Sequence, residues 1–217
     1  MTPLPVETSA RHIHLSQAHV EALFGGGRVL TRMRELSQPG QFAAVGQVEV
    51  VGPRGSFPAV RVLGPARPET QVELSATDAR ILGIPAVFRN SGDTAGSAGL
   101  VLRGPAGEVK LDGGVIVALR HLHCDPASAA DLGVADKAVV AVELGGPRAI
   151  VLENVLVRVH QDFALALHID TDEANAVGLT AGMTGRLVGE APAEASVPFT
   201  HGMSSERMQP APTRASV

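Results

Sequence analysis

Short apolar stretches, separated by glycine and proline, recur along the chain. Seven of them are about four to five residues long and rich in β-branched residues, which is typical of β-strands. They cover residues 48–51, 59–63, 100–102, 115–119, 139–142, 149–152 and 155–159. Many short strands at close spacing are typical of β-barrels or sandwiches. The pattern does not alternate strands with helices of about 12 residues, so a doubly wound sheet is not expected.

Helical stretches are few and short. Four segments begin near Ser, Thr, Asp or Pro residues suited to a helix N-terminus. They cover residues 16–24, 75–82, 126–132 and 171–177. From residue 190 onward the chain is rich in Ala, Pro, Ser and Thr without periodicity, which predicts a disordered tail over residues 190–217. The pattern as a whole therefore predicts a mainly β fold with short helices.

Composition excludes several classes of protein. The 217 residues include no Trp, no Tyr and only 3% aromatic side chains, and the net charge is −4. A nucleic-acid partner is not expected, because such binding needs stacking rings and a basic surface. The single cysteine excludes an internal disulfide framework and cysteine-based metal clusters. No secretory signal and no membrane-spanning stretch is visible, so we expect a cytoplasmic protein without a membrane partner.

An internal repeat is the most informative feature of the sequence. Arg11-His-Ile-His-Leu15 recurs as Arg120-His-Leu-His-Cys124, and residues 72–83 align without gaps with residues 167–178. That alignment places Glu73 opposite His168. The order of the motifs predicts two copies of one β-rich unit, a first over residues 1–85 and a second over residues 86–189. Whether strands of the two units interleave stays open.

The two His-x-His pairs are candidate metal ligands. Residues i and i+2 of a strand face the same side, so both imidazoles of a pair can reach one ion. One such pair alone would be interpreted as two ordinary histidines, but each pair here follows an Arg and precedes a third ligand at similar distance. The two candidate sets are His12, His14 and Glu73, and His121, His123 and His168. Three such ligands with an open fourth position are typical of catalytic zinc, although Co²⁺, Ni²⁺ and Fe²⁺ stay open.

Several segments together resemble one known family. They lie, in this order, at residues 11–16, 36–43, 62–65, 70–75, 90–97, 120–123 and 168–175. From about Val6 to Leu187 the chain resembles the PduL-type phosphate propanoyltransferases, the phosphotransacylases of propanediol-using microcompartments and related free enzymes. The resemblance implies two linked small β-barrels, each capped by short helices. It also implies two zinc ions near the barrel junction and exchange of a propanoyl or acetyl group between coenzyme A (CoA) and phosphate.

The resemblance also assigns residues. It gives the same six metal ligands as the repeat, and it matches the phosphate-binding arginine to Arg67. It implies CoA contacts at Ser9, Arg34, Arg61, Leu63 and Asn175. The chain departs from the family at Ala10, where Asn is usual, at Arg34, where Lys is common, and at Cys124, where Met is usual. Each arginine could instead solvate a strand face, and Ser9, Leu63 and Asn175 could serve a turn, the core and a helix cap.

Other interpretations concern function and partners. Cys124 is interpreted as a small buried hydrophobe rather than a nucleophile, because no free general base can be named beside it. The alternative to an enzyme is a non-catalytic zinc-binding or microcompartment-associated module. With eleven residues before His12, Pro3 and Pro5 among them, no amphipathic targeting helix is expected. Entry into a microcompartment by another route and a homodimer both stay open.

Overall fold

The computed structural model describes residues 2–190, which form fourteen β-strands and four α-helices. The strands are β1 (Leu4–Ser9), β2 (His12–Ser16), β3 (Arg32–Glu35), β4 (Phe42–Val51), β5 (Ser56–Arg67), β6 (Gln71–Leu74), β7 (Phe88–Arg89), β8 (Ala98–Arg103), β9 (Glu108–Ala118), β10 (His121–Cys124), β11 (Val139–Leu144), β12 (Ile150–Val159), β13 (Ala166–Asp170) and β14 (Thr184–Glu190). The helices are α1 (Gln17–Phe24), α2 (Ala76–Leu82), α3 (Pro126–Leu132) and α4 (Thr171–Val177).

The strands close into two six-stranded barrels, which confirms the predicted fold class. In the first barrel the hydrogen-bonded order is β4-β5-β2-β6-β9-β8, and β8 returns to β4. Strands β3 and β7 lie outside this circuit on β4 and β9. The second barrel has the order β11-β12-β10-β13-β1-β14, closed by pairing of β14 with β11.

The two barrels match strand for strand in pairing and direction. Each His-x-His strand, β2 or β10, runs parallel to one neighbour and antiparallel to the other. The antiparallel neighbours, β6 and β13, pair Glu73 with His12 in the first barrel and His168 with His121 in the second. The alignment of Glu73 with His168 in the sequence therefore corresponds to equivalent places in the two barrels.

The repeats exchange their first strands. Strand β1 precedes the first His-x-His strand in sequence but belongs to the second barrel, and β9 precedes the second His-x-His strand but belongs to the first barrel. The chain crosses between barrels at Ala10-Arg11 and again at Leu119-Arg120. Strands on either side of residue 85, such as β6 and β9, therefore pair within one barrel. The division of the chain into units over residues 1–85 and 86–189 stays a prediction. Of the predicted tail, only Glu190 lies within the described residues, as the last residue of β14.

Each barrel encloses its own aliphatic core, and the exchanged strands contribute to both. Val115 of β9 packs in the first core, and Leu4 of β1 packs in the second. Within the His-x-His strands, the alternate residues point inward: Ile13 and Leu15 in β2, and Leu122 and Cys124 in β10. The histidines consequently face the opposite side of each strand, away from the core.

Local signals placed the helices well. Each predicted helix matches within one residue, and the side chains of Ser16, Ser75, Asp125 and Asp170 cap the four N-termini. The predicted strands at 149–152 and 155–159 are one strand, β12, which passes through Asn154 with a positive φ of 57°. Within residues 2–190 no helix is long and apolar enough to span a bilayer.

Candidate active site

One cavity of about 850 Å³ receives side chains from both barrels. All six candidate metal ligands line it, three from strands β2 and β6 of the first barrel and three from β10 and β13 of the second. The exchange of β1 and β9 accounts for this placement, because each crossing between barrels delivers the chain directly into a His-x-His strand. The two candidate ligand groups therefore share one cavity instead of facing separate surfaces.

The first group brings three donor atoms together. His12 Nε2 lies 3.2 Å from His14 Nε2 and 3.6 Å from Glu73 Oε2. The donor atoms of all three residues lie within 4.8 Å of one another, and all three side chains are buried. Two imidazoles and a carboxylate around one point suit a divalent cation such as Zn²⁺.

Neighbouring groups orient these ligands. His12 Nδ1 lies 2.9 Å from the Ala10 carbonyl oxygen, which can only accept, so Nδ1 carries the proton and Nε2 keeps its lone pair for a metal. Glu73 Oε1 accepts hydrogen bonds from Gln71 Nε2 at 2.6 Å and Ser91 Oγ at 2.7 Å. These bonds leave Oε2 on the side of His12.

Protonation in the first group also fits a metal. Burial alone would raise the pKa of Glu73, but the adjacent His12 and His14, the hydrogen bond from Ser91 and the charge of Arg67 bring that pKa to about 2. Burial, followed by the neighbouring His12 and Arg67, lowers the pKa of His14 well below its ordinary value. At neutral pH the carboxylate is ionised and the His14 imidazole is neutral, as metal ligation requires.

The second group consists of three clustered imidazoles. Ring centroids are 4.6 Å apart for His121 and His123, 4.8 Å for His123 and His168, and 5.2 Å for His121 and His168. His121 Nδ1 lies 2.8 Å from the Leu119 carbonyl oxygen, the same contact that His12 makes in the first barrel. The rings of His121 and His168 are nearly parallel, with an interplanar angle of 13°, whereas the two rings of the first group meet at 89°.

Buried nitrogen atoms without partners make this second group suited to a cation. Both ring nitrogens of His123 are buried and have no hydrogen-bond partner among residues 2–190, which is costly unless something else satisfies them. Burial and the neighbouring imidazoles lower the pKa of His123 to about 2 and that of His168 to about 3. Both rings are therefore neutral and able to offer lone pairs near neutral pH.

Arginines supply the positive charge of the cavity. Arg34, Arg61 and Arg67, the residues that the family resemblance assigned to phosphate groups, all line it, and Ser9 and Leu63 line it too. Arg67 forms no salt bridge within the described part of the chain, and burial lowers its pKa while the charge of Glu73 opposes that effect. Arg61 Nη1 donates to the carbonyl oxygens of Ala44 and Val45 at 2.9 and 3.1 Å, so part of its fork is already used.

Comparison with known proteins identifies the family to which the chain belongs. A family model described as phosphate propanoyltransferase matches residues 5–180. The chain belongs to the phosphate propanoyltransferase family. Three relatives of that name come from Leptotrichia buccalis, Thermotoga maritima and Rhodobacter capsulatus. They are 50%, 51% and 51% identical over 84%, 82% and 81% of this chain and 86%, 85% and 82% of their own lengths. The resemblance identified from the motifs is thereby confirmed.

Not every residue that the family resemblance assigned reaches the cavity. Asn175 lies exposed on α4 and does not line it, so its predicted CoA contact has no support from the cavity geometry. Cys124 is buried in the second core, where burial and the charge of Asp125 raise the thiol pKa to about 11. A thiol with that pKa stays protonated at neutral pH, which disfavours a nucleophilic role.

The two arginines that precede the His-x-His pairs have partners of their own. Arg11 Nη2 lies 2.6 Å from Asp78 Oδ1, and Arg120 Nε lies 2.7 Å from Glu173 Oε1. Asp78 is the third residue of α2 and Glu173 the third residue of α4, and each completes the capping box of its helix. These equivalent ion pairs hold the crossing segments against the helices, so both arginines have a structural task.

Sequence reasoning missed four residues around the ligands. Gln38 donates from Nε2 to the Ala164 carbonyl oxygen at 3.0 Å, and the same nitrogen lies 3.4 Å from His168 Nε2. Phe163 stacks on His123 with ring centroids 4.1 Å apart, and Ser91 binds Glu73. Arg158 lines the cavity from β12. Gln38 and Ser91 lie in motifs that carried the family resemblance, whereas Phe163 and Arg158 lie outside every motif.

Proposed function

We propose that this chain is a phosphate acyltransferase that converts acyl-CoA and inorganic phosphate reversibly into acyl phosphate and CoA, with propanoyl or acetyl as the acyl group. The observation that carries the proposal is the shared cavity, in which two groups of metal-suited ligands lie with Arg34, Arg61 and Arg67, none of which forms a salt bridge within residues 2–190. Membership of the phosphate propanoyltransferase family supports the same reaction class.

The two ligand groups would each hold one zinc ion. His12, His14 and Glu73 would bind the first, and His121, His123 and His168 the second. When bound, such ions polarise carbonyl and phosphate oxygens and stabilise a departing thiolate. The carbonyl contacts at Ala10 and Leu119 keep the first histidine of each group in the tautomer that leaves Nε2 free.

The arginines would position the two substrates. Arg67 would hold the phosphate, since a guanidinium fork binds two phosphate oxygens at once. Arg34 and Arg61 would hold phosphates of CoA, with Ser9 and Leu63 beside them and Asn175 reached only if CoA extends out of the cavity. A phosphate oxygen then forms a bond to the thioester carbon while the carbon–sulfur bond breaks, and the CoA sulfur leaves with the electron pair and takes up a proton.

The cations of this cavity would neutralise negative charge on both substrates. Phosphate and CoA are both anions and repel each other, so their encounter is unfavourable without fixed cations. The negative charge of Glu73 acts on Arg67 and reduces the free-energy cost of keeping this guanidinium partly buried. Holding both substrates in this way reduces the entropic cost of the attack.

The test measures thiol release from propanoyl-CoA with a thiol-reactive dye, with and without phosphate. Phosphate-dependent release, lost with a chelator and restored by Zn²⁺, is expected. Two zinc ions per chain should be found by metal analysis. Metal binding without phosphate-dependent release would instead support the non-catalytic zinc-binding module.

The assignment of the CoA residues has its own measurement. Arg34→Ala and Arg61→Ala should raise KM for acyl-CoA far more than KM for phosphate. Arg103, exposed on β8 and paired with Glu49 and Glu108, lies outside the cavity and offers a matched control. Equal effects on both substrates would remove these two residues from the CoA site.

A further inference from the structure

Arg158 occupies a central position that no motif indicated. It lies near the end of β12, directly across from His123 of β10 in the strand register. Strand β12 is the equivalent of β5, the strand that ends at Arg67. The two arginines therefore come from equivalent strands of the two barrels, and both line the same cavity.

The guanidinium of Arg158 has no anionic partner in contact with it. Within residues 2–190 no carboxylate comes within 4.0 Å of it, and no side-chain hydrogen bond is formed. The charge of Asp136, a residue of its own barrel, acts on Arg158, but that carboxylate accepts the Val159 N–H at 2.9 Å. The ring of Phe163 lies 5.8 Å from the guanidinium and shields one side from water.

The charge of Glu73 acts on both Arg67 and Arg158. Each is partly buried, and the charge of Arg158 also acts on Arg67. Two guanidinium ions in one partly buried cavity repel each other, and Glu73 is already bound by Gln71 and Ser91. Glu73 offsets part of this repulsion, and an anion held between the two guanidinium ions would offset more of it.

We propose that Arg158 is a second phosphate-binding residue, which holds the same phosphate as Arg67 from the side of the second barrel. Inorganic phosphate has oxygens enough for two guanidinium forks, and its charge offsets both cations. This inference rests on the proposed function. It adds that the phosphate lies between the two barrels and contacts a residue from each.

The first experiment measures binding without turnover. Calorimetric titration of inorganic phosphate into the zinc-loaded protein should give a Kd about 10- to 100-fold higher for Arg158→Gln than for the unaltered protein, the range for losing one charge-assisted contact. Arg158→Lys should lie between the two, because it keeps the charge but loses the fork. Arg103→Gln should bind phosphate as the unaltered protein does.

A double-mutant cycle tests whether the two arginines hold one anion. If they do, Arg67→Gln with Arg158→Gln should weaken phosphate binding by clearly less than the product of the single effects. Unchanged phosphate affinity in Arg158→Gln, or strictly multiplicative effects, would overturn the proposal. So would a raised KM for acyl-CoA with normal phosphate binding, which would assign Arg158 to CoA.

Failure of the proposed function would look different from failure of this inference. If the unaltered protein binds phosphate but releases no thiol, the reaction is wrong while the Arg158 contact can still be measured. Melting temperature and zinc content of Arg158→Lys should match those of the unaltered protein. A lysine variant that loses zinc or melts several degrees lower would show that Arg158 is structural, and would overturn the proposal.

Discussion

The two barrels share one frame but differ at a single ligand position. Glu73 and His168 occupy equivalent places, each across from the first histidine of its His-x-His strand. With a divalent cation bound, the first group would be one charge unit less positive than the second, because it contains a carboxylate. The second group would consequently attract an anion more strongly. The comparison shows how one repeat can produce two sites of different charge from the same strand geometry.

The support of the two groups differs as well. Glu73 is held by Gln71 and Ser91, both from the stretch of chain that builds the first barrel. His168 instead contacts Gln38, which comes from the loop before β4 of the first barrel and reaches across to the second. Glu73 is thus held from within its own barrel, whereas His168 is contacted by a side chain of the other barrel.

The largest expected effect comes from removing one ligand in each barrel. His14→Ala should lose the first metal and His123→Ala the second, each leaving about one zinc per chain. Each should lower phosphate-dependent turnover at least about a thousandfold, since a metal ion supplies several kcal/mol of charge stabilisation. Metal analysis beside the thiol assay checks both. Loss of both metals from either single variant would show that the two groups are not independent.

Arg67 tests the charge of the first barrel without touching a ligand. Arg67→Ala should reduce phosphate-dependent turnover by about two to three orders of magnitude, the scale for one charge-stabilising donor, or about 2.7–4 kcal/mol. Arg67→Lys should recover only part of this. Zinc content and melting temperature are the controls. A variant that loses zinc would identify Arg67 as structural instead.

Titration should distinguish Glu73 from the buried histidines of both groups, His14 among them, in the chelated protein. Burial first of all lowers the pKa of His121, His123 and His168 in the folded state. In the unfolded chain these histidines bind protons below about pH 6.5, whereas in the folded chain they stay neutral. The free energy of unfolding therefore falls as pH drops from about 6.5 toward 3. Each histidine contributes up to about 1.4 kcal/mol per pH unit. Glu73 contributes with the same sign but in a lower window, from about 4.5 toward 2.

Two matched variants check this pH dependence by urea unfolding between pH 6.5 and 5. His168→Gln should flatten the slope of unfolding free energy against pH by about 1.4 kcal/mol per unit. Glu73→Gln should change the slope in this window far less, because Glu73 is mostly ionised in both states there. Identical slopes in the two variants would contradict the assigned direction of the His168 pKa.

Replacing Gln38 should affect the second ligand group more than the first. Gln38→Ala leaves the Ala164 carbonyl without its donor and should cost about 1–3 kcal/mol of stability. It should change the affinity for the second metal more than that for the first, because the Gln38 amide donates toward His168 Nε2 and so competes for a lone pair of that ligand. Gln47→Ala, at an exposed position on β4, is the control, with a change within about 0.5 kcal/mol. Equal weakening of both metals would contradict the difference in support.

Local patterns carried much of the prediction. The four helices follow from capping residues such as Ser75 and Asp170, whose bonds join atoms three residues apart. The strands rich in valine were predicted, but β1, β3, β7 and β14 were not, because they are short, polar or interrupted by Pro and Gly. Their place depends on partners far away in sequence, which no local pattern contains.

The sequence by itself determined which residues could bind a metal. The i, i+2 spacing of His12 with His14 and of His121 with His123 places each pair on one face of a strand, and the repeat alignment supplied Glu73 and His168. Only the tertiary structure decided that both groups face one cavity, because this follows from the exchange of β1 and β9 between barrels. The tertiary structure also places Arg158 and Gln38 at the cavity and leaves Asn175 outside it. Pairing between distant strands depends on burying the apolar side chains of the whole barrel. The residue pattern of a single strand does not specify which strand lies next to it.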